Sequence, residues 1–164
     1  MLILASSGLR AQTELTTTTL SNSRGSFLII LPTIDNFIKI VNMEPNEYES
    51  SMRYYGYHID RDFDPKPYRY TNNSLDMYMY GGNGEGSVFW KYDPINNCVE
   101  FTTMLSMLYP HSCIYDLKKE LQKYYTRTDG IWDMYVIETS DFYYGFTIAQ
   151  SSDVVRATCK KFKK

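Results

Sequence analysis

Two hydrophobic periods alternate along the chain and outline its elements. Ile34, Phe37, Ile38 and Val41 recur at i, i+3, i+4 and i+7, which is one face of a helix. Thr33, after Pro32, is a suitable N-cap, and the helix should stop near Met43, because the residue before Pro45 disfavours the α region. Pro45 suits the first turn of a second helix, Tyr48, Met52 and Tyr55 form its stripe, and Gly56 is a natural stop. Residues 60–67 form a polar turn. From Tyr68 to Thr103 the period falls to two. Leu75, Met77 and Met79 alternate with Asp76, Tyr78 and Tyr80, and a glycine-rich hairpin loop follows at 81–86. Val88, Trp90 and Tyr92 form the next alternation and Val99, Phe101 and Thr103 the third, with a turn at 93–97. Three strands on short turns read as an antiparallel meander.

The order then repeats. Ser112 is placed to cap a third helix, with Ile114, Leu117, Leu121 and Tyr124 at helical spacing, and residues 126–130 end it. Strands follow at 132–139, 142–150 and 154–160, with turns near Ser140-Asp141 and Ser151-Ser152-Asp153. The pattern predicts an α+β fold: an antiparallel sheet of about six strands, built from two helix-plus-three-strand halves (33–104 and 111–162), with the helices packed on one face. A lone half is near the size at which a core is marginal, so 27–164 is expected to be a single domain. Residues 12–26 are Thr/Ser-rich, with four threonines in a row from Thr16 to Thr19, and read as a disordered linker.

Composition narrows the function classes. The chain has 164 residues, with 17 Lys+Arg against 19 Asp+Glu, a net charge of −2. That balance lacks the basic surplus of a nucleic-acid binder. The 43% hydrophobic and 22% charged fractions exclude wholesale disorder. No stretch reaches the length of a membrane span. Tyr is in excess, 16 residues, more than one core can bury with every hydroxyl paired. If Leu75, Met77 and Met79 face the helices, Tyr78 and Tyr80 face outward, and Phe89 does so beside Trp90. With Tyr143, these residues predict an aromatic sheet face that either braces a bare sheet or makes contacts.

The first eleven residues run from an apolar stretch (Leu2 to Ala5) through small residues to Ala11, before Gln12. This reads as a truncated signal peptide cleaved after Ala11, the alternative being a disordered tail. The Ala11-Gln12 junction resembles the one that ends signals in secreted Bacteroidetes-type proteins. Localisation is therefore expected to be periplasmic or secreted. Of three cysteines, Cys98 and Cys159 fall at strand edges and form the candidate disulfide, with three reduced thiols as the alternative. No C-x-x-C pair supports a metal site. Asp60, Asp62 and Asp64 have the alternate spacing of a calcium loop, but Pro65 and Thr71 stand where that loop needs Gly and Glu. His111 and Cys113, two apart at the expected helix start, are the other chemical foothold. The basic end, Lys160-Lys161-Phe162-Lys163-Lys164, reads as a solvated tail or a contact for an anionic surface. No catalytic set converges, and no cofactor or metal is expected.

A helix pair ending in Gly56-Tyr57, then an aromatic-rich meander, then a helix and a second meander resembles small exported Bacteroidetes-type proteins of unknown function. The tandem order also resembles the beta-lactamase inhibitor protein-like architecture, over roughly residues 33–162. The resemblance implies binding or inhibition through an open sheet face rather than catalysis. The expectation is an exported, non-enzymatic module that engages a protein partner in an inhibitor or immunity-type role. The alternative is a carbohydrate or cell-wall glycan binder, since planar aromatics on a flat sheet stack on sugar rings.

Overall fold

Both N-terminal helices form where their stripes place them. In the computed structural model, which describes residues 13–22, 25–59, 68–71, 88–104, 108–129 and 132–164, α1 spans Ile34–Val41. The Thr33 side chain accepts a hydrogen bond from the Asn36 amide at 3.2 Å, and Asp35 and Lys39 pair across one turn at 2.7 Å. Helix α2 spans Pro45–Tyr54 with Pro45 in its first turn. Gly56 follows at φ +83°, in the left-handed region that a side chain disfavours. Helix α3 spans Leu108–Leu121, so it starts four residues before the expected cap, and Ser112 lies inside it. Pro110 is accommodated there because the first turn has amides without intrahelical partners, so its missing N–H costs nothing.

Ten strands follow in chain order among the described residues: β1 (Thr17–Asn22), β2 (Gly25–Ile30), β3 (His58–Ile59), β4 (Tyr68–Thr71), β5 (Phe89–Asp93), β6 (Cys98–Met104), β7 (Tyr125–Asp129), β8 (Trp132–Glu138), β9 (Phe142–Gln150) and β10 (Val154–Lys163). Strands β1 and β2 pair as a hairpin, and the rest form one antiparallel sheet in the order β3-β4-β5-β6-β10-β9-β8-β7. The fold is thus α+β with an antiparallel sheet. Each half is a meander, and the last strand of one half pairs with the last strand of the other, from Val154↔Met104 to Lys160↔Cys98. Beside β3 and β4, strand β7 is an addition to the expected six. Its sequence, Tyr-Thr-Arg-Thr-Asp, is too polar to show an apolar alternation, because an edge strand exposes much of its surface. The expected strand at 75–80, the turn at 60–67 and the loop at 81–86 lie outside the described residues, as do residues 1–11.

Pairing register sorts the side chains into two faces. Trp90, Phe101 and Ala157 stand in line across three strands, as do Tyr92, Val99, Cys159, Phe146 and Tyr135 across five; all eight are buried. Phe37 of α1 meets this face, with its ring 5.0 Å from Trp90 and 5.7 Å from Phe146, and Tyr48 of α2 lies 4.9 Å from Tyr92. Burial of a side chain such as Phe37 contributes about 1.5–3 kcal/mol. Helix α3 touches β6 and β10, and Ile114 and Lys118 line a small cavity with Ile148 and Val155.

The disordered linker expected over 12–26 is corrected: β1 and β2 occupy most of it, and Leu15, Ile29 and Ile30 are buried. The physical reason lies outside the segment. Asn36, fully buried on α1, donates to the carbonyls of Thr16 and Leu31 at 2.8 Å each and accepts from the Thr16 amide at 2.9 Å. The Tyr55 hydroxyl accepts from the Leu15 amide at 3.0 Å, and the Tyr57 hydroxyl from the Ile30 amide at 3.3 Å. Backbone that would have to stay in water is satisfied by three side chains of the helical region. The same device absorbs more tyrosines: the Tyr48 hydroxyl donates to the Trp90 carbonyl and that of Tyr92 to the Met43 carbonyl, while Asn42 Nδ2 donates to the Tyr144 hydroxyl.

Among the described residues, two buried polar side-chain atoms, Ser51 Oγ and Trp90 Nε1, have no hydrogen-bond partner. A group buried without a partner costs stability, whereas a satisfied one costs stability when removed. Asn36→Ala should therefore lower unfolding stability by about 1–3 kcal/mol, since it orphans the Thr16 amide and takes one of two donors from the Leu31 and Thr16 carbonyls. Ser51→Ala should leave Tm unchanged or raise it. Urea and thermal unfolding of the two variants check the contrast.

Burial pushes the Tyr57 and Tyr92 hydroxyls and the Cys98 and Cys159 thiols up from their ordinary values of 10.0 and 9.0. Each group keeps its proton to higher pH in the folded chain than in the unfolded one. The contribution is complete below the unfolded values and is lost as pH rises past them. The urea midpoint should stay level up to pH 9.0 as far as these groups control it, and fall as pH rises through and above 10.0.

Candidate functional site

The face opposite the buried one carries a groove of about 530 Å³, lined by Tyr125, Arg127, Met134, Val136, Tyr143, Gly145 and Phe162. Strand register builds it from three parallel rows. The middle row runs Tyr125, Val136, Gly145, Lys160 across β7, β8, β9 and β10. One flanking row carries Arg127 and Met134, and the other carries Glu138, Tyr143 and Phe162. The floor is thus Val136 and a glycine, and the walls are a thioether and two aromatic rings.

Gly145 sets the depth. A Cβ there would lie 2.8 Å from Met134 Sδ and 3.1 Å from Phe162 Cε2, inside the contact distance of either. The glycine is needed for packing, since it lets both walls lean over the floor. Lysines hold the rings from outside. Lys160 Nζ is 5.5 Å from the Phe162 ring centre, and Lys164 Nζ is 5.1 Å from that of Tyr143 and 2.5 Å from Glu138 Oε1. The Glu138 carboxylate, by accepting that hydrogen bond, raises the pKa of the Lys164 ammonium. At the sheet edge the groove is open, with Tyr125 at 71% exposure and Arg127 exposed. The C-terminal residues through Lys163 are the end of β10, and the Lys164 amide donates to the Asp141 carbonyl, so they are not a loose tail.

The sequence-predicted site residues scatter. Tyr143 lines the groove at 37% exposure, and Phe89 stands on the same face of the sheet, half-buried, on β5. Tyr78 and Tyr80 lie outside the described residues, as do Asp60, Asp62 and Asp64. Nothing local marks Tyr125, Met134 and Phe162 as one site; they meet only through pairing of strands β7 to β10. A signal was present in the exposed aromatic at the basic end.

The candidate disulfide is also corrected. Cys98 pairs in register with Lys160 and Cys159 with Val99, so neighbouring positions put the two thiols on opposite faces of the sheet. All three cysteines are free. Burial, then the charges of Glu100 and Asp93, raise the Cys98 pKa. Cys113 is the sixth residue of α3 rather than its start, and helix positions two apart do not face each other. Among the described residues, no three His, Cys, Asp or Glu gather in a way that could hold a metal. No helix among them is long and apolar enough to cross a membrane. Comparison with family models, with curated proteins and with solved structures gave no match in any of the three.

Gly145→Val should force Met134 and Phe162 apart and lower unfolding stability by about 1–3 kcal/mol, with Gly145→Ala costing less. Urea unfolding of both variants measures it, and an unchanged midpoint for valine would refute the packing role.

Proposed function

We propose that this chain is an exported, non-enzymatic binding module that holds a protein partner on the second face of its sheet, in an inhibitor or immunity-type role. The groove of Tyr125, Tyr143, Met134, Phe162 and Arg127 carries the reading. Tyr, Phe, Met and Arg are the side chains enriched where protein partners meet, because they offer large contact areas and, in Tyr and Arg, a polar end that orients. This reading takes all three helices as lying on the buried face. It is supported by the contacts of α1 and α2 with Trp90, Tyr92 and Phe146, and by the cavity that α3 shares with Ile148 and Val155. Export rests on the leader-like residues before Gln12, and a periplasmic or secreted location follows from it. A glycan is the other occupant that exposed tyrosine rings suit.

Tagged chain purified from the exported fraction of its source cell should retain a stoichiometric protein and have a mature mass that begins at Gln12. Tyr143→Ala and Phe162→Ala should each weaken that retention about tenfold or more, with little change in Tm. Equal retention by both variants would refute the assignment of the groove. Binding on a glycan array that depends on Tyr143 would transfer the face to sugars.

A further inference from the structure

We propose that the groove takes an extended, acidic peptide segment, which adds to the sheet along β7. In this arrangement a large apolar side chain packs on the Tyr125 ring at the open end of the groove, and a carboxylate two residues away meets Arg127. The inference rests on the protein-binding reading above and names its mode.

The edge supplies the backbone. Strand β7 is outermost, and among the described residues its backbone pairs with β8 alone. An edge of unpaired amides and carbonyls is a template for a further strand. The opposite edge, β3, is only two residues long. An added strand lies about 4.8 Å from β7, so a Leu, Met or Phe side chain opposite Tyr125 packs on the Tyr125 ring at the open end of the groove. Residues two apart on a strand share a face, which brings the next inward side chain beside Arg127.

Charge selects the occupant. Among the described side chains around the groove, Arg127, Lys160 and Lys164 are cationic, while Glu138 is engaged by Lys164 and Asp141 also lies close enough to act on that ammonium. Arg127 makes no ion pair among the described residues. It is also the central residue of β7. Antiparallel pairing of two copies about that centre would set Arg127 against its own counterpart, and like charges directly opposite are unfavourable. The same position that disfavours that pairing favours an acidic strand.

The test pans a random ten-residue peptide display library against the full chain. Enrichment of peptides that alternate large apolar residues with Asp or Glu is expected. A synthetic copy of the enriched sequence should bind Arg127→Glu at least about tenfold more weakly, and a version with Lys for the acidic residues should regain affinity for that variant. Methylating single peptide amides should abolish binding at alternate positions, where they pair with β7. Basic or charge-neutral enriched peptides, no enrichment, or affinity unchanged by Arg127→Glu would overturn the proposal. Binding lost in Tyr143→Ala but indifferent to every amide methylation would overturn strand addition while leaving the groove a binding site. Indifference to Tyr143, Arg127 and methylation together would overturn both readings.

Discussion

The pairing of β6 with β10 is the constraint on which the rest of the molecule depends. Either half alone is a meander near the lower size limit for a stable core. Joined at this seam they become one sheet, whose two central strands are the last strand of each half. The seam also fixes parity. Because side chains alternate, setting Phe101 opposite Ala157 and Val99 opposite Cys159 decides the face of every residue on both strands, and through β5 and β9 the faces of their neighbours. A one-residue slip of β10 would turn Phe162 and Lys160 inward and Cys159 outward, which would remove a groove wall and break the core together.

A second layer of order comes from side chains that satisfy backbone at a distance. The paired threonine-rich segment is held mainly by Asn36, Tyr55 and Tyr57, which sit in or just after the helices and reach back to residues 15–31. This explains an unusual use of tyrosine. A phenol contributes a large buried ring and one polar atom, and in five cases here that atom bonds a backbone group or an amide side chain. Among the described tyrosines, these five are core rings with paired hydroxyls, Tyr125 and Tyr143 line the groove, and Tyr54, Tyr115 and Tyr124 are exposed elsewhere.

That division also explains what was legible in the sequence. Helices α1 and α2, with the Thr33 cap and the Gly56 stop, are written in local spacing, and so are β5, β6, β8, β9 and β10. The hairpin of β1 and β2 was not legible, because its low-complexity composition is that of a linker and its partners lie twenty or more residues away. Strand β7 was hidden by its polarity, and the early start of α3 by Pro110, which reads as a breaker unless it falls in a first turn. The disulfide assignment failed on parity, which only the register supplies. Of the groove, Tyr143 was legible as an outward aromatic, whereas Gly145 has meaning only once Met134 and Phe162 are known to close over it.

The groove and the core are two consequences of one register, so the most direct test is of the register itself. Proton–proton contacts across the seam can be read by NMR in the unmodified protein. The account predicts cross-strand contacts linking Phe101 with Ala157, Val99 with Cys159 and Thr103 with Val155. Contacts displaced by one residue, with Ala157 facing Glu100 or Thr102, would contradict it, and so would a chain in which β6 and β10 show no mutual contacts.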